Sequence, residues 1–322
     1  MVTSLAHATR MRKRGQINIV LKKSKDQQAL LSPQGTNVLE KAEHQSFNQI
    51  QAELNNFIGL SNIKDFMKEI YAWLYMNKKR QEAGLKTSKQ VLHMVFKGNP
   101  GTGKTTVARL IAKMFKDMGV LEKGHLIEAE RADLVGEYIG HTAQKTRDLV
   151  QKAIGGILFV DEAYSLARGG EKDFGKEAID TLVKSMEDQQ HSFVLILAGY
   201  PKEMDRFLKL NPGLPSRFSM KITFPNYSVD ELILMAEKMV KERDYILEER
   251  ALDTLYDLLK YTKESQEEHF SNGRYIRNLL ERSIRSQAKR LLDEGNYEKE
   301  HLITIKSVDL TNAFHHSDLK MD

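Results

Sequence analysis

Gly98-Asn99-Pro100-Gly101-Thr102-Gly103-Lys104-Thr105 is the stretch on which the reading of this chain turns. It fits G-x-x-x-x-G-K-[ST], a loop whose glycines let backbone N–H groups turn inward around phosphate oxygens, where a Cβ would obstruct. The helix that follows aims its N-terminal partial positive charge at the same spot. By this reading Lys104 reaches the β- and γ-phosphates of a bound nucleotide and the Thr105 hydroxyl ligates Mg²⁺, with Thr106 beside it in the first turn.

The flanks agree with the loop. Val91 to Phe96 is a short apolar run closed by glycine and proline, as a buried parallel strand is. Beyond the loop, Val107, Leu110, Ile111, Met114 and Phe115 fall on one face of a helix. Upstream, Ile63, Met67, Ile70 and Leu74 recur at helical spacing. Apolar runs near 125–128, 156–160, 193–198 and 221–224 then alternate with helical stretches, which predicts an α/β fold with a parallel sheet covered on both faces. The run Ile157-Leu158-Phe159-Val160 ends in Asp161-Glu162. A phosphate loop needs a second carboxylate for its metal. Asp161 is expected to hold Mg²⁺ through its water shell, and Glu162 to orient and deprotonate an attacking water.

After Pro225 the texture changes. Ser228 and Glu231 form a capping box, followed by helical patterns through Leu232–Val240, Leu252–Leu259 and Tyr275–Ile284. The expected organisation is a basic, partly flexible extension over 1–53, a large α/β nucleotide-binding domain over 54–228 and a small helical domain over 229–322. About two domains is also what 322 residues suggest.

Composition removes several function classes. The chain is 41% hydrophobic and 29% charged, the usage of an ordinary globular protein. Its apolar runs are far shorter than a membrane span needs. It has no cysteine, which excludes disulfide scaffolds, thiol nucleophiles and zinc–thiolate sites and fits a cytoplasmic protein. The +5 formal charge is local. Seven of the 49 Lys/Arg lie in residues 1–25, which hold no acid, so the rest of the chain carries 42 basic against 44 acidic residues. A body so near neutrality lacks the footprint of a specific nucleic-acid binder. A solvated tail is the plain reading of the first 25 residues; contact with RNA, a membrane surface or an acidic partner stays open, as does a transit peptide. The ten histidines show no metal-ligand spacing, and His315-His316 read as solvated.

These motifs resemble the AAA+ ATPases, and further segments narrow the likeness. Leu134-Val135-Gly136-Glu137-Tyr138-Ile139-Gly140-His141-Thr142, Asp161-Glu162-Ala163-Tyr164-Ser165-Leu166 and Leu197-Ala198-Gly199-Tyr200 are similar to the CbxX/CfqX branch, which takes in red-type Rubisco activases and a bacterial sporulation protein. The likeness runs over 54–290, and Gly15-Gln16-Ile17-Asn18-Ile19 in the tail points toward the sporulation member. It implies a P-loop core with a five-stranded parallel sheet and a small α-helical lid, ATP and Mg²⁺ as ligands, and self-assembly into a ring, most simply a hexamer.

The likeness also implies site residues. Ile58 and Gly59 fall where the family packs adenine. Gly98 through Thr106 and Asp161 bind nucleotide. Arg217 matches an arginine finger given to the neighbouring subunit, with Arg206 as a second candidate. Arg274 matches the second-sensor arginine of the lid, although Arg277 stands one helical turn on. Tyr138-Ile139-Gly140 matches a pore loop that grips an unidentified client protein, and Arg168–Asp173 a second such loop. The implied function is ATP-driven protein remodelling, with a sporulation role resting on likeness alone. A nucleic-acid-directed motor and a nucleotide-gated scaffold with little turnover are the rival readings. One departure stands out: where many AAA+ proteins carry Asn or Thr to position the lytic water, this chain has Ala198-Gly199-Tyr200, and the atom that does the job stays open.

Overall fold

The structure is a computed structural model that describes residues 44–87, 90–138, 140–168, 173–211, 213–265 and 269–318. The basic tail, Ile139 and most of the second candidate loop lie outside the described residues.

Two helices, α1 (Gln45–Asn55) and α2 (Ser61–Glu82), lead into β1 (Met94–Gly98) and α3 (Lys104–Asp117). Next come β2 (Leu126–Ala129), α4 (Arg131–Leu134), α5 (His141–Ala153), β3 (Ile157–Val160) and a 3₁₀ turn (Ala163–Ala167). They are followed by α6 (Gly175–Asp188), β4 (Val194–Gly199), α7 (Pro201–Leu210), α8 (Leu214–Arg217) and β5 (Met220–Phe224). The remainder is α9 (Val229–Lys241), β6 (Ile246–Leu247), α10 (Glu249–Ser265), α11 (Asn272–Glu294), α12 (Lys299–Ile303), β7 (Thr304–Ile305) and α13 (Ser307–Asp318).

The five expected strands form one parallel sheet in the order β2-β3-β4-β1-β5. Every residue of β3 and β4 is buried, as a sheet covered on both faces requires. Alternation divides the strands between two cores. Met94, Phe96, Phe159 and Phe224 face one side, where the ring of Phe96 lies 5.0 Å from Phe224 and 6.4 Å from Phe159. Val95, Leu158, Val160, Leu195 and Leu197 face the other. Each such burial contributes roughly 1.5–3 kcal/mol relative to exposure. The strand order has a functional result. The chain leaves β1, crosses to the far edge for β2, and returns through β3, so β4 slots between β3 and β1. The phosphate loop, Gly199-Tyr200 and Asp161-Glu162 therefore line up along the carboxyl edge of the sheet, where α/β folds bind ligands.

Helix α1 buries Phe47, Ile50 and Leu54, so the expected boundary at 53/54 runs through a helix packed on the core. Its Gln/Asn-rich exposed face hid the three anchors. The predicted helical lid follows β5, opening on the Ser228–Glu231 capping box, in which each side chain accepts the other's backbone N–H. The lid also contains the two-residue parallel pair β6–β7, too short to be read from sequence. Arg290 and the fully buried Asp309 tie α11 to α13 through a two-pronged ion pair at 2.9 and 3.0 Å.

His93, the residue before β1, is fully buried, and the Leu195 N–H of β4 donates to its Nδ1 at 3.0 Å. Burial pushes this imidazole down to about 4, with His191 adding to the push and the Met186 backbone opposing it. The unfolded chain takes up the proton first, so the neutral ring's contribution is whole above pH 6.5 and is lost as pH falls toward the folded value near 4. At ~1.4 kcal/mol per pH unit, the loss comes to about 3 kcal/mol. His93→Asn, which keeps an acceptor for Leu195, is expected to flatten the fall in unfolding free energy between pH 6.5 and 4, measured by denaturant titration; curves of equal slope would refute this.

Candidate active site

The phosphate loop leaves β1 and turns on two glycines in the left-handed region, Gly101 (φ +69) and Gly103 (φ +94). At Gly101 a Cβ would lie 2.3 Å from the Ser271 carbonyl oxygen and 2.7 Å from the Arg274 nitrogen, so both conformation and space demand glycine. The Thr102 hydroxyl donates to the Asn99 carbonyl at 2.7 Å and stiffens the turn. The Lys104 ammonium, 8% exposed as a residue, donates to the carbonyls of Gly98 (2.8 Å) and Asn99 (2.9 Å). Burial pulls Lys104 below the ordinary lysine value, against an upward pull from Asp161.

One cleft of about 400 Å³ gathers this loop with Thr105, Thr106, Asp161, Glu162, Arg274 and Arg277. Asp161 follows β3, and its carboxylate accepts the Glu162 N–H at 2.9 Å. Glu162 sits at φ +45, a left-handed conformation that costs a non-glycine residue roughly 1–3 kcal/mol and clusters at functional sites. Tyr200 lines the cleft between the acids and the loop. Its phenol is pushed up, first by burial and then by the charge of Glu162. Tyr164 packs against Gly199, where any Cβ would be 2.7 Å from its ring, and its phenol too is raised, chiefly by burial.

Residues at the far end of the cleft were not singled out in the sequence. Phe57, Tyr227, Met235 and Met239 line it, aromatic and thioether side chains of the kind that pack against a base. Gly59 (φ +65) lies beside it, against Glu231 and Tyr227, and Leu60 is left-handed at φ 57. No local signal marks Tyr227 or the two methionines, which read as helix filler until the lid is folded onto the loop. Arg274 and Arg277 both reach the cleft, so sequence could not separate them for a physical reason: they share one face of α11.

Arg217 is not among the residues lining the cleft. Its guanidinium pairs with Glu187 at the end of α6 and donates to the Gly213 carbonyl at 2.5 Å. Tyr138 is 66% exposed, its ring 5.5 Å from His141, between Gly136, whose N–H donates to the Thr142 hydroxyl, and Gly140, which precedes α5 at φ +81. Arg131 on α4 donates to the Ser165 carbonyl and to both oxygens of Asp173, all at 2.8 Å, and the ion pair holds the Asp173 carboxyl below its usual value. Among the described residues no cluster of three or more His, Asp or Glu side chains is placed to hold a metal ion, and no helix is long and apolar enough to cross a membrane.

A phosphate loop on β1, acids on β3, five parallel strands and a helical lid define a class, and comparison agrees with it. Residues 94–226 match the family described as "ATPase family associated with various cellular activities (AAA)", and residues 228–319 match the AAA lid domain. The chain belongs to the AAA+ ATPases. It is 58% identical over 312 residues to Stage V sporulation protein K of Bacillus subtilis (strain 168), covering 95% of this chain and 97% of that one. Protein CbxX, chromosomal, of Cupriavidus necator is 42% identical over 84% of this chain and 86% of its own. Among solved structures, the Thermotoga maritima RuvB Holliday junction branch migration motor superposes with a TM-score of 0.53 over 82% of this chain and 71% of that one; at 18% identity it shares the fold.

Proposed function

We propose that this chain hydrolyses ATP with Mg²⁺ and uses the energy to remodel a client protein in the cytoplasm, as a ring of its own copies, most simply a hexamer. The observation that carries the reading is the single cleft holding the phosphate loop, Asp161, Glu162 and the lid's Arg274. The glycine cradle and buried ammonium fit a polyphosphate; the hydroxyl of Thr105 and the carboxylate of Asp161 are hard oxygen donors that fit Mg²⁺. Bound there, Mg²⁺ would neutralise charge on the β- and γ-phosphate oxygens. In this reading Lys104 and the loop amides hold the phosphates, Glu162 takes the proton of the attacking water, and Arg274 couples lid angle to the γ-phosphate. Arg217 serves the neighbouring subunit's site. A sporulation role follows from the 58% relative alone. Magnesium-dependent phosphate release by the purified chain, abolished by chelation, tests the core of the proposal; no release at any ATP concentration would end it.

Tyr138 supplies the grip on the client. An exposed aromatic flanked by glycines can hold polypeptide by apolar contact without reading charge. Tyr138→Ala is expected to remove stimulation of ATP turnover by an unfolded model polypeptide while ATP affinity is kept. Loss of nucleotide affinity instead would take Tyr138 out of the pore. The near-neutral body argues against a nucleic-acid motor.

A further inference from the structure

The first turn of the lid helix α11 is fastened to the phosphate loop by the Asn272 side chain and the Gly273 N–H. Asn272 is fully buried and sits at φ 46, in the left-handed region. Its amide nitrogen, which carries two hydrogens, lies within hydrogen-bond distance of three acceptors, Asn226 Oδ1 at 2.8 Å, the Phe270 carbonyl at 2.9 Å and the Pro100 carbonyl at 3.3 Å, so one hydrogen is shared, while its oxygen accepts the Tyr227 N–H at 3.0 Å. Asn226 Oδ1 also accepts from Asn99 Nδ2 at 3.0 Å, and the Gly273 N–H donates to the Gly101 carbonyl at 3.2 Å. Loop, linker and lid thus meet on three asparagines and two glycines.

The peptide plane gives this contact a consequence. In a planar trans peptide the C=O of one residue and the N–H of the next point in opposite directions. Turning the Gly101 and Thr102 N–H groups toward a phosphate therefore turns the Pro100 and Gly101 carbonyls away from it, toward Asn272 and Gly273. The two carbonyls that hold the lid belong to the same planes as amides that would hold phosphate. Asn272 itself is buried, so pulling the lid off the loop would leave its amide short of partners, which favours the closed arrangement.

We propose that Asn272 is a positioning residue for hydrolysis: it clips α11 to a phosphate-shaped loop and so holds Arg274, two residues on, at the cleft. This rests on the ATPase reading above. Asn272→Gly removes the amide while suiting the left-handed backbone, so it isolates the clip from strain. The variant is expected to lose about tenfold or more in kcat while KM for ATP stays within about threefold.

A second readout follows the lid itself. The chain has no cysteine, so Lys152→Cys on α5 and Lys289→Cys on α11 accept a dye pair cleanly. The ATP-induced change in dye separation is expected to vanish with Asn272→Gly. Asn226→Ala, which removes the shared acceptor, should reproduce both effects, and Asn226→Asp, which keeps an acceptor oxygen, should restore both. If Asn272→Gly does not fold, the Asn226 pair decides alone. Wild-type kcat and lid response in the variants, or a lowered melting temperature with neither changed, overturns the proposal. Absence of ATP turnover in the wild-type chain would instead fell the ATPase reading, and this one with it.

Discussion

Glu162→Gln is expected to lower phosphate release at least ~100-fold and leave ATP binding intact, because only proton transfer from the attacking water is removed. The substitution keeps side-chain length and the left-handed backbone at φ +45, so the cleft should keep its shape. Asp161 still accepts the backbone N–H of residue 162, and the loop and Lys104 are untouched. The variant should therefore trap ATP, which a filter-binding measurement alongside phosphate release will show. Turnover equal to wild type would mean that the chain uses nucleotide as a ligand and that the scaffold reading is right.

Arg217→Ala is expected to cost still more, about 10³–10⁵ in kcat or roughly 4–7 kcal/mol of barrier, if its guanidinium completes a neighbour's site. Within one chain Arg217 stands apart from the cleft, paired with Glu187 and the Gly213 carbonyl. A mixing experiment separates its two possible modes of action. Combined with Glu162→Gln protein, the Arg217→Ala protein forms interfaces where its intact acid meets the other's intact arginine, and ATP turnover should reappear. A mixture as inactive as its components would confine Arg217 to its own subunit and remove the basis for a ring-shared site.

Most of the fold was legible because its signals are local. The phosphate loop, the buried run ending in Asp161-Glu162 and the Ser228–Glu231 cap each depend on neighbours in sequence, and the strands and lid helices stand where the apolar spacing put them. Strand order was not legible. Nothing in the runs at 157–160 and 194–199 tells that the later one lies inside, between β3 and β1. The same limit hid Tyr227, Met235 and Met239, whose shared cleft exists only once the lid is docked. Asn272 drew no role in the sequence, because a left-handed asparagine has no mark there until the groups it bonds are brought near. That helix α1 packs on the core was missed for the opposite reason: its polar surface outweighed three buried anchors in any average over the segment.

The insertion of β4 between the strand that carries the loop and the strand that carries the acids also bears on biogenesis. As the ribosome releases the chain, the cradle and the carboxylates are both synthesised before residue 194, yet no wall between them exists until that later stretch emerges and intercalates. Pairings so distant in sequence form slowly. A chain released only as far as residue 193 therefore holds the loop and both acids without the strand that sets them side by side, and it still lacks Arg217 and Arg274.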